Sequence, residues 1–281
     1  MTQVPMNGSL KPKIHLCNGY VANFTSLARI LKVACQDSRK LIPQVDLIAS
    51  VGLTEKHVKY LCGIAQAFGV IEQRTCKATL LGQLVYKYDP FFDDVGTLWF
   101  LHYMISSNPY HLVWHRLVTS VLPAHKCITL EQASAAFDDL RQIIGRQSIH
   151  KHVLNELNST FDAYINQHFA HLDYLRLDDA TYILNKNPSM PPLVLSACIA
   201  CFRDRHRPGD TAISVPDLLV NPNGPGIVLQ LEESRLRALL EQLKMVPGFS
   251  LESRADLDQV RLTDNTPDYG WMERYYVNVR A

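Results

Sequence analysis

The stretch IASVGLTEKHVKYLCGIAQAFGVI, residues 48–71, decides the predicted fold of this 281-residue chain. Gly52 supplies a turn, and Thr54 is a suitable N-cap because its hydroxyl can accept a hydrogen bond from a main-chain N–H at the start of a helix. Apolar residues then recur at helical spacing and predict a helix over about 55–68. A short helix, a glycine turn and a longer amphipathic helix together indicate a helix-turn-helix.

The flanking residues extend this pattern. Helices are predicted near 24–36 and at 43–50, upstream of the turn. Downstream, 70–73 is extended, and apolar residues return at 78–86, which fits a small hairpin or wing. The alternative interpretation is that residues 80–87 form a helix. The first unit is therefore a winged-helix candidate.

A similar order of elements recurs twice further along the chain. Helices are predicted at 128–140 and 148–165, the second with Ser148 as its N-cap, and again within 214–251. An extended hairpin, FSLESRADLDQVRLT, follows in this third version. The repeat is one of pattern, because sequence identity between the three versions is weak.

We therefore predict a mainly α fold of tandem winged-helix-like (helix-turn-helix) units with small β-hairpin wings. The predicted domains are a basic N-terminal winged-helix domain at 1–90, a central helical domain with a second helix-turn-helix-like unit at 91–185, and a C-terminal winged-helix-like domain at 186–281.

The composition is that of an ordinary globular protein, with 47% apolar and 20% charged residues. The N-terminus lacks the apolar core of a secretory signal, and no apolar run reaches the length of a membrane span. We expect a cytoplasmic protein without a membrane partner. The seven scattered cysteines indicate reduced thiols rather than a disulfide framework.

Charge is distributed unevenly along the chain. Residues 1–90 contain eleven Lys/Arg and five Asp/Glu, a net charge of +6, and the remaining residues carry a net charge of −5. A basic segment of this kind favours a polyanionic partner. Uneven surface charge without a partner is the alternative interpretation.

The polar face of the predicted helix 55–68 holds the candidate contacts to double-stranded DNA. In a helix-turn-helix the second helix enters the major groove, and its N-terminal residues meet bases and phosphates. Gly63 and Ala67 are small residues on the same face, and they are expected to permit close approach of DNA to the helix. The predicted DNA-binding residues, including two between the proposed wing strands, are Thr54, Lys56, His57, Lys59, Tyr60, Arg74 and Lys77. Solvated lysines on a protein-interaction module are the alternative.

A second DNA-facing helix is predicted in the middle of the chain. Arg146, Lys151 and Asn155 lie near the start of the predicted helix 148–165 and have side chains suited to base and phosphate contact. Residues 91–180 carry six basic and ten acidic residues, which disfavours DNA contact there relative to the first unit.

No catalytic or metal-binding pattern emerges from the sequence. CIAC at 198–201 has CxxC spacing, but it lies in an apolar helix without a second ligand pair, so packed thiols are expected. Phosphate loops, dinucleotide-binding loops and GxSxG elbows are absent. The segment NPNGPGIV at 221–228 is predicted to be a turn before a helix. We expect no metal, no cofactor and no enzymatic activity; a nuclease with a dispersed site is the alternative.

Three segments carry a family resemblance: LIASVGLTEKHVKYLCGIAQAFGVIE, then TLLGQLVYKYDPFFDDVGTLWFLHYMISSNP, then MPPLVLSACIACF with the later SVPDLLVNPNGPGIVLQLEESRLRALLEQL. Their anchors are Thr97–Trp99, Asn108-Pro109 and Pro225-Gly226. Over about 47–270 the chain resembles the bacterial domain of unknown function 4007 family. The first 40 residues lack that family's usual opening.

The resemblance implies a role in phage defence or DNA modification, including phosphorothioation and BREX-type islands. It supplies no catalytic residues. We expect a DNA-binding recognition or adaptor subunit of such a system. Its expected partners are a PAPS-reductase-like sulfurtransferase and an ATPase. Assembly into a homo-oligomer is a further alternative. The alternative is a protein-interaction scaffold that docks one of these partners without touching DNA.

Overall fold

The chain is mainly helical, as predicted, and carries two small antiparallel sheets. The computed structural model describes residues 14–142, 146–254, 257–263 and 266–280, and for 141, 142 and 146–150 it describes the backbone alone. Within these ranges, every helix is too short or too polar to span a lipid bilayer.

The α-helices are α1 (Phe24–Gln36), α2 (Gln44–Val51), α3 (Glu55–Ala67), α4 (Leu80–Tyr88), α5 (Val95–Ser106), α6 (Leu112–Arg116), α7 (Leu122–Ala124), α8 (Leu130–Ala135), α9 (Arg146–Ile165), α10 (Pro192–His206), α11 (Val215–Val220), α12 (Pro225–Val228), α13 (Glu233–Gln242) and α14 (Asp268–Arg280). The strands are β1 (Cys127–Thr129), β2 (Leu175–Asp178), β3 (Thr181–Leu184), β4 (Ala212–Ser214), β5 (Phe249–Arg254) and β6 (Leu257–Leu262). A π-helical turn joins α6 to α7, and 3₁₀ turns precede α9 and β2.

The first three helices lie where the sequence predicts them. Asn23 caps α1 by accepting the N–H of Ser26, and Thr54 caps α3 by accepting the N–H of His57. Between α2 and α3, Gly52 has a φ of 73°, a left-handed conformation that glycine adopts without steric cost.

A single β-bridge replaces the first predicted hairpin. Ile71 pairs with Ala78, and Thr79 then caps α4, so the alternative prediction of a helix near 80–87 is confirmed. Helix α4 packs directly on the main chain of Val70, because a Cβ atom on Gly82 would lie 2.0 Å from the Val70 carbonyl oxygen. The first unit therefore ends in a tightly packed helix.

The two sheets share one strand order. The first is ordered β1-β3-β2 and the second β4-β6-β5, all antiparallel. In each sheet, the first strand precedes a short helix and pairs with the second strand of a later hairpin. Strand β1 pairs with β3, with Ile128 opposite Tyr182, and β4 pairs with β6, with Ile213 opposite Val260. Strands β5 and β6 confirm the hairpin predicted after 248, whereas the hairpin of β2 and β3 was not predicted.

The predicted helix 128–140 is correct only over α8 (Leu130–Ala135) and wrong at both ends. Ile128 and Thr129 pair with β3 instead, as suits β-branched residues, and α8 spans only six residues. Thr129 and Gln132 form a capping box that fixes the start of α8. Helix α9 begins at Arg146, two residues before the predicted N-cap.

One contiguous hydrophobic core runs through all three predicted domains. Helix α5 lies at its centre, and each residue from Gly96 to Ser106 is buried. Helix α14 returns from the C-terminus to pack on α10 and α4. The domain boundaries at residues 90 and 185 remain a prediction. The three predicted domains share the buried residues of this core.

Candidate nucleic-acid interface

The first turn of α3 is capped and open to solvent. The Thr54 hydroxyl accepts the N–H of His57 at 3.4 Å. Lys56 and Lys59 are exposed, whereas Val58 between them is fully buried. The helix therefore presents two lysines to solvent and an apolar side chain to the core, as predicted from the sequence.

Residues 18–20 cover the adjoining part of the polar face. The ring of Tyr20 stacks on that of Tyr60, with centroids 5.2 Å apart and planes 20° apart, and lies 4.7 Å from the ring of His57. The side-chain amide of Asn18 donates a hydrogen bond to the Tyr60 hydroxyl at 2.8 Å. His57 and Tyr60 are consequently half-buried, and they hold Tyr20 in place.

The expectation that Gly63 and Ala67 lie on an open face is wrong. Both residues are buried, as is each residue from Leu61 to Ala65. Helix α3 packs against both α1 and α2, which buries more of its circumference than one apolar stripe predicts. Access to α3 is therefore restricted to its N-terminal part.

A buried carboxylate anchors the covering segment. Glu156 of α9 is 1% exposed and accepts hydrogen bonds from the main-chain N–H groups of Leu16, Cys17 and Asn18 at 2.8–3.1 Å. Burial raises the pKa of Glu156, and these N–H groups act in the opposite direction. Successive N–H groups around one anion form a nest, an arrangement that stabilises a buried negative charge.

Helix α9 also brings the second predicted face beside the first. A cleft of about 490 Å³ is lined by Lys56 of α3, by Lys151, His152 and Asn155 of α9, and by Asn18, Gly19 and Tyr20. Lys56, Lys151 and Asn155, which the sequence predicts on separate units, thus line one cleft. Arg146 begins α9, but its side chain lies outside the described residues.

The two basic residues of the predicted wing lie elsewhere. Arg74 is exposed in the turn between Ile71 and Ala78, and the Lys77 ammonium donates a hydrogen bond to the main-chain carbonyl of Asp37 at the end of α1. Neither lines the cleft. Thr54 and Lys59 are exposed on α3 outside the cleft lining.

Sequence reasoning missed the residues that complete the cleft. These are Asn18, Gly19, Tyr20 and, through its anchoring role, Glu156. The Asn18-Gly19 dipeptide is a turn signal, and both residues have positive φ, 51° and 85°. No local pattern links this turn to Glu156, because 138 residues separate Asn18 from its carboxylate partner.

Four cysteines of the described chain, Cys17, Cys62, Cys198 and Cys201, are buried. Interaction between the Cys62 and Cys76 thiols lowers the pKa of Cys76 and, together with burial, raises the pKa of Cys62. Cys198 and Cys201 are buried in α10. In the described part of the chain, no three His, Cys, Asp or Glu side chains cluster as metal ligands would.

Comparison with known proteins finds solved structures of similar fold and a matching sequence family. The structure resembles "SspB crystal structure" with a TM-score of 0.78 at 14% identity, and "Magnesium ion-bound SspB crystal structure" with 0.75 at 15%, each over 97% of this chain and 90% of the other. No curated protein matches the chain in sequence. The sequence pattern of the family described as "Protein of unknown function (DUF4007)" matches residues 31–276, and the chain therefore belongs to that family.

Proposed function

We propose that the protein binds double-stranded DNA at the rim of the cleft between the N-terminal parts of α3 and α9. The observation that carries this proposal is the meeting of Lys56 and Lys151 in one cleft. Two helices from different parts of the chain contribute the ammonium groups, so both predicted DNA-facing helices serve a single interface.

Charge and exposure support a nucleic-acid partner. Lys56, Lys59 and Lys151 are all exposed, and the first 90 residues carry a net charge of +6. Among the described residues that line the cleft, none is acidic. Lysines that neutralise phosphates release condensed counterions, which is the main source of affinity in sequence-independent DNA binding.

The fold proposed for this interface is a tandem winged helix. Both sheets combine a strand, a short helix, a longer helix and a hairpin in the same order, the arrangement expected of a wing packed on a helix-turn-helix. In the first unit, the bridge between Ile71 and Ala78 would be the remnant of a wing.

The proposed biological role is that of a cytoplasmic recognition or adaptor subunit in a bacterial DNA-modification or anti-phage system. The family resemblance supports this role. Phosphorothioation and BREX-type systems are the proposed settings, and a PAPS-reductase-like sulfurtransferase and an ATPase are the proposed partners. In this role, the protein would deliver a partner's activity to DNA.

The test is a charge reversal on both walls of the cleft. We expect Lys56→Glu/Lys151→Glu to weaken binding of a labelled 30-base-pair duplex by at least tenfold in fluorescence anisotropy. The slope of log affinity against log salt should fall by about 2, since two phosphate contacts are lost.

The matched control is Lys40→Glu/Lys186→Glu, which changes the charge equally at two exposed lysines outside the cleft lining. Equal losses of affinity in both double variants would show that net charge alone governs binding and would remove the cleft from the interface. Absence of duplex binding by the wild-type protein at 50 mM salt would reject the DNA-binding proposal.

A second candidate function is protein docking without DNA contact. Exposed apolar side chains favour it: Val277 and Val279 on α14 are 53% and 60% exposed, and Met245 is 91% exposed. Co-purification of a partner that is lost in Val277→Asp/Val279→Asp, combined with no duplex binding, would select this function.

A further inference from the structure

The size of the cleft limits what can enter it. Its volume of about 490 Å³ lies within the range of pockets that hold a single small ligand. A double helix is far larger, since its major groove alone admits an α-helix. A duplex can therefore contact the rim of the cleft, whereas the volume of the cleft is of the size that suits a single nucleotide.

The cleft contains a preformed aromatic surface. Tyr20 lines the cleft and is fixed by the rings of Tyr60 and His57 at 5.2 and 4.7 Å, respectively. The Lys56 ammonium lies over the Tyr20 ring, 6.0 Å from its centroid. Tyr20 is half-buried and forms part of the cleft lining. An aromatic ring held in this way is a stacking surface for a nucleobase, whatever its sequence.

The polar groups around Tyr20 suit a nucleotide. Asn18 and Asn155 offer amide donors and acceptors, which match the hydrogen-bonding edges of bases, and Lys56 and Lys151 offer ammonium groups for the flanking phosphates. The nearby carboxylate of Glu156 is not offered to a ligand in the cleft, because main-chain N–H groups bind both of its oxygens.

We propose that the cleft binds one unpaired nucleotide of a DNA strand, with the base stacked on Tyr20 and the adjacent phosphates held between Lys56 and Lys151. This inference rests on the proposed DNA-binding function and adds that the bound DNA presents a base outside the double helix. Removing a base from the stack costs a few kcal/mol, and least where the base is already unpaired. The protein should therefore prefer bulged or single-stranded DNA over fully paired duplex.

The test compares three fluorescein-labelled DNA probes of one sequence by anisotropy: a fully paired duplex, the same duplex with a one-nucleotide bulge, and the single strand. We expect the bulged probe to bind about tenfold more tightly than the paired probe, as one base stacked on an aromatic ring would produce. In Tyr20→Leu this preference should fall to about twofold or less, while affinity for the paired duplex stays within about twofold. Tyr86→Leu, at a half-buried tyrosine of α4, is the matched control and should keep the preference.

A second measurement uses the wild-type protein alone. With 2-aminopurine as the bulged nucleotide, stacking on Tyr20 should quench its fluorescence at least twofold on binding, so the test does not depend on how a variant folds. Equal affinity for paired and bulged probes, or binding without quenching, would overturn the unpaired-nucleotide inference and leave duplex binding intact. Failure to bind any of the three probes would overturn both proposals.

Discussion

At the scale of single residues, Glu156 determines whether the cleft exists. Its carboxylate is removed from solvent and binds three consecutive N–H groups of residues 16–18, which fixes Asn18 and Tyr20 against α3. A buried charge is tolerated only when hydrogen bonds compensate its lost hydration, and here main-chain donors supply them. Glu156 therefore acts on the site as a positioning residue.

We expect Glu156→Ala to lower the free energy of unfolding by about 3 kcal/mol, because three buried N–H groups lose their acceptor. Exchange of the amide hydrogens of Leu16, Cys17 and Asn18 should accelerate strongly, and urea unfolding would give the stability change. Glu131→Ala, at an exposed glutamate of α8, is the control and should leave both measurements nearly unchanged. Preserved protection of the three amides in Glu156→Ala would contradict the anchoring role.

At the scale of secondary-structure elements, a chain of buried hydrogen bonds connects four helices. The Trp114 indole of α6 donates to the Tyr164 hydroxyl of α9 at 3.2 Å, this hydroxyl donates to Nδ1 of His102 of α5 at 2.5 Å, and His102 Nε2–H donates to the Val228 carbonyl of α12 at 2.9 Å. These directions require a neutral His102, and burial lowers its pKa to about 4.

The low pKa of His102 predicts acid-sensitive stability. The unfolded chain binds a proton at this histidine near pH 6.5 and the folded chain only near pH 4, so folding stability is lost as the pH falls through this window. Between pH 7.5 and 5.0 the loss should be about 2 kcal/mol from this residue. We expect His102→Gln to be less stable at pH 7.5 and to show a smaller loss on acidification, measured by urea unfolding. His125→Gln, at an exposed histidine, should keep the wild-type pH dependence.

Sequence patterns predicted the elements that local chemistry determines. Thr54 and Gly52 marked the boundary between α2 and α3 correctly, because caps and turns depend on adjacent residues. The segment 128–140 was misassigned, since Ile128 becomes a strand residue only through pairing with a distant partner, Tyr182. Local propensity carries no information about such a partner.

The candidate site shows the same contrast between features set by neighbouring residues and features set by distant packing. Lys56, Lys151 and Asn155 were predicted individually from their positions on helices, but their convergence on one cleft depends on how α3 and α9 pack. Burial of Gly63 and Ala67 likewise depends on the packing of α1 and α2 around α3. The sequence therefore identified these three side chains on their helices but not the cleft that they line together.

At the scale of the whole molecule, aromatic packing joins the predicted domains. Phe24 and Phe68 of the first segment lie 5.2 and 5.6 Å from Phe169 of the second, and Tyr88 stacks on Tyr276 of the third at 5.1 Å. Phe24, Phe68, Phe169 and Tyr276 belong to one continuous core, and Tyr88 packs against it. The predicted boundary at residue 90 is thus crossed by close packing.

We expect the full chain to unfold in one cooperative transition by scanning calorimetry, with equal calorimetric and van't Hoff enthalpies. Residues 1–90 expressed alone should lack a cooperative transition, because Phe24 and Phe68 lose Phe169 as a partner. Two resolved transitions in the full chain, or cooperative unfolding of the isolated segment, would instead support independent domains.

The anchoring of residues 16–18 by Glu156 also sets when the cleft can form during protein synthesis. A nascent chain leaves the ribosome N-terminus first, and Glu156 follows Asn18 by 138 positions, which take roughly 7–28 s to translate. During this interval Tyr20 can contact only Tyr60 and His57, because the carboxylate that anchors residues 16–18 has not yet been made, and Lys56 lacks Lys151 across the cleft. A polypeptide released before α9 is made therefore lacks the cleft, because both Lys151 and Glu156 belong to α9.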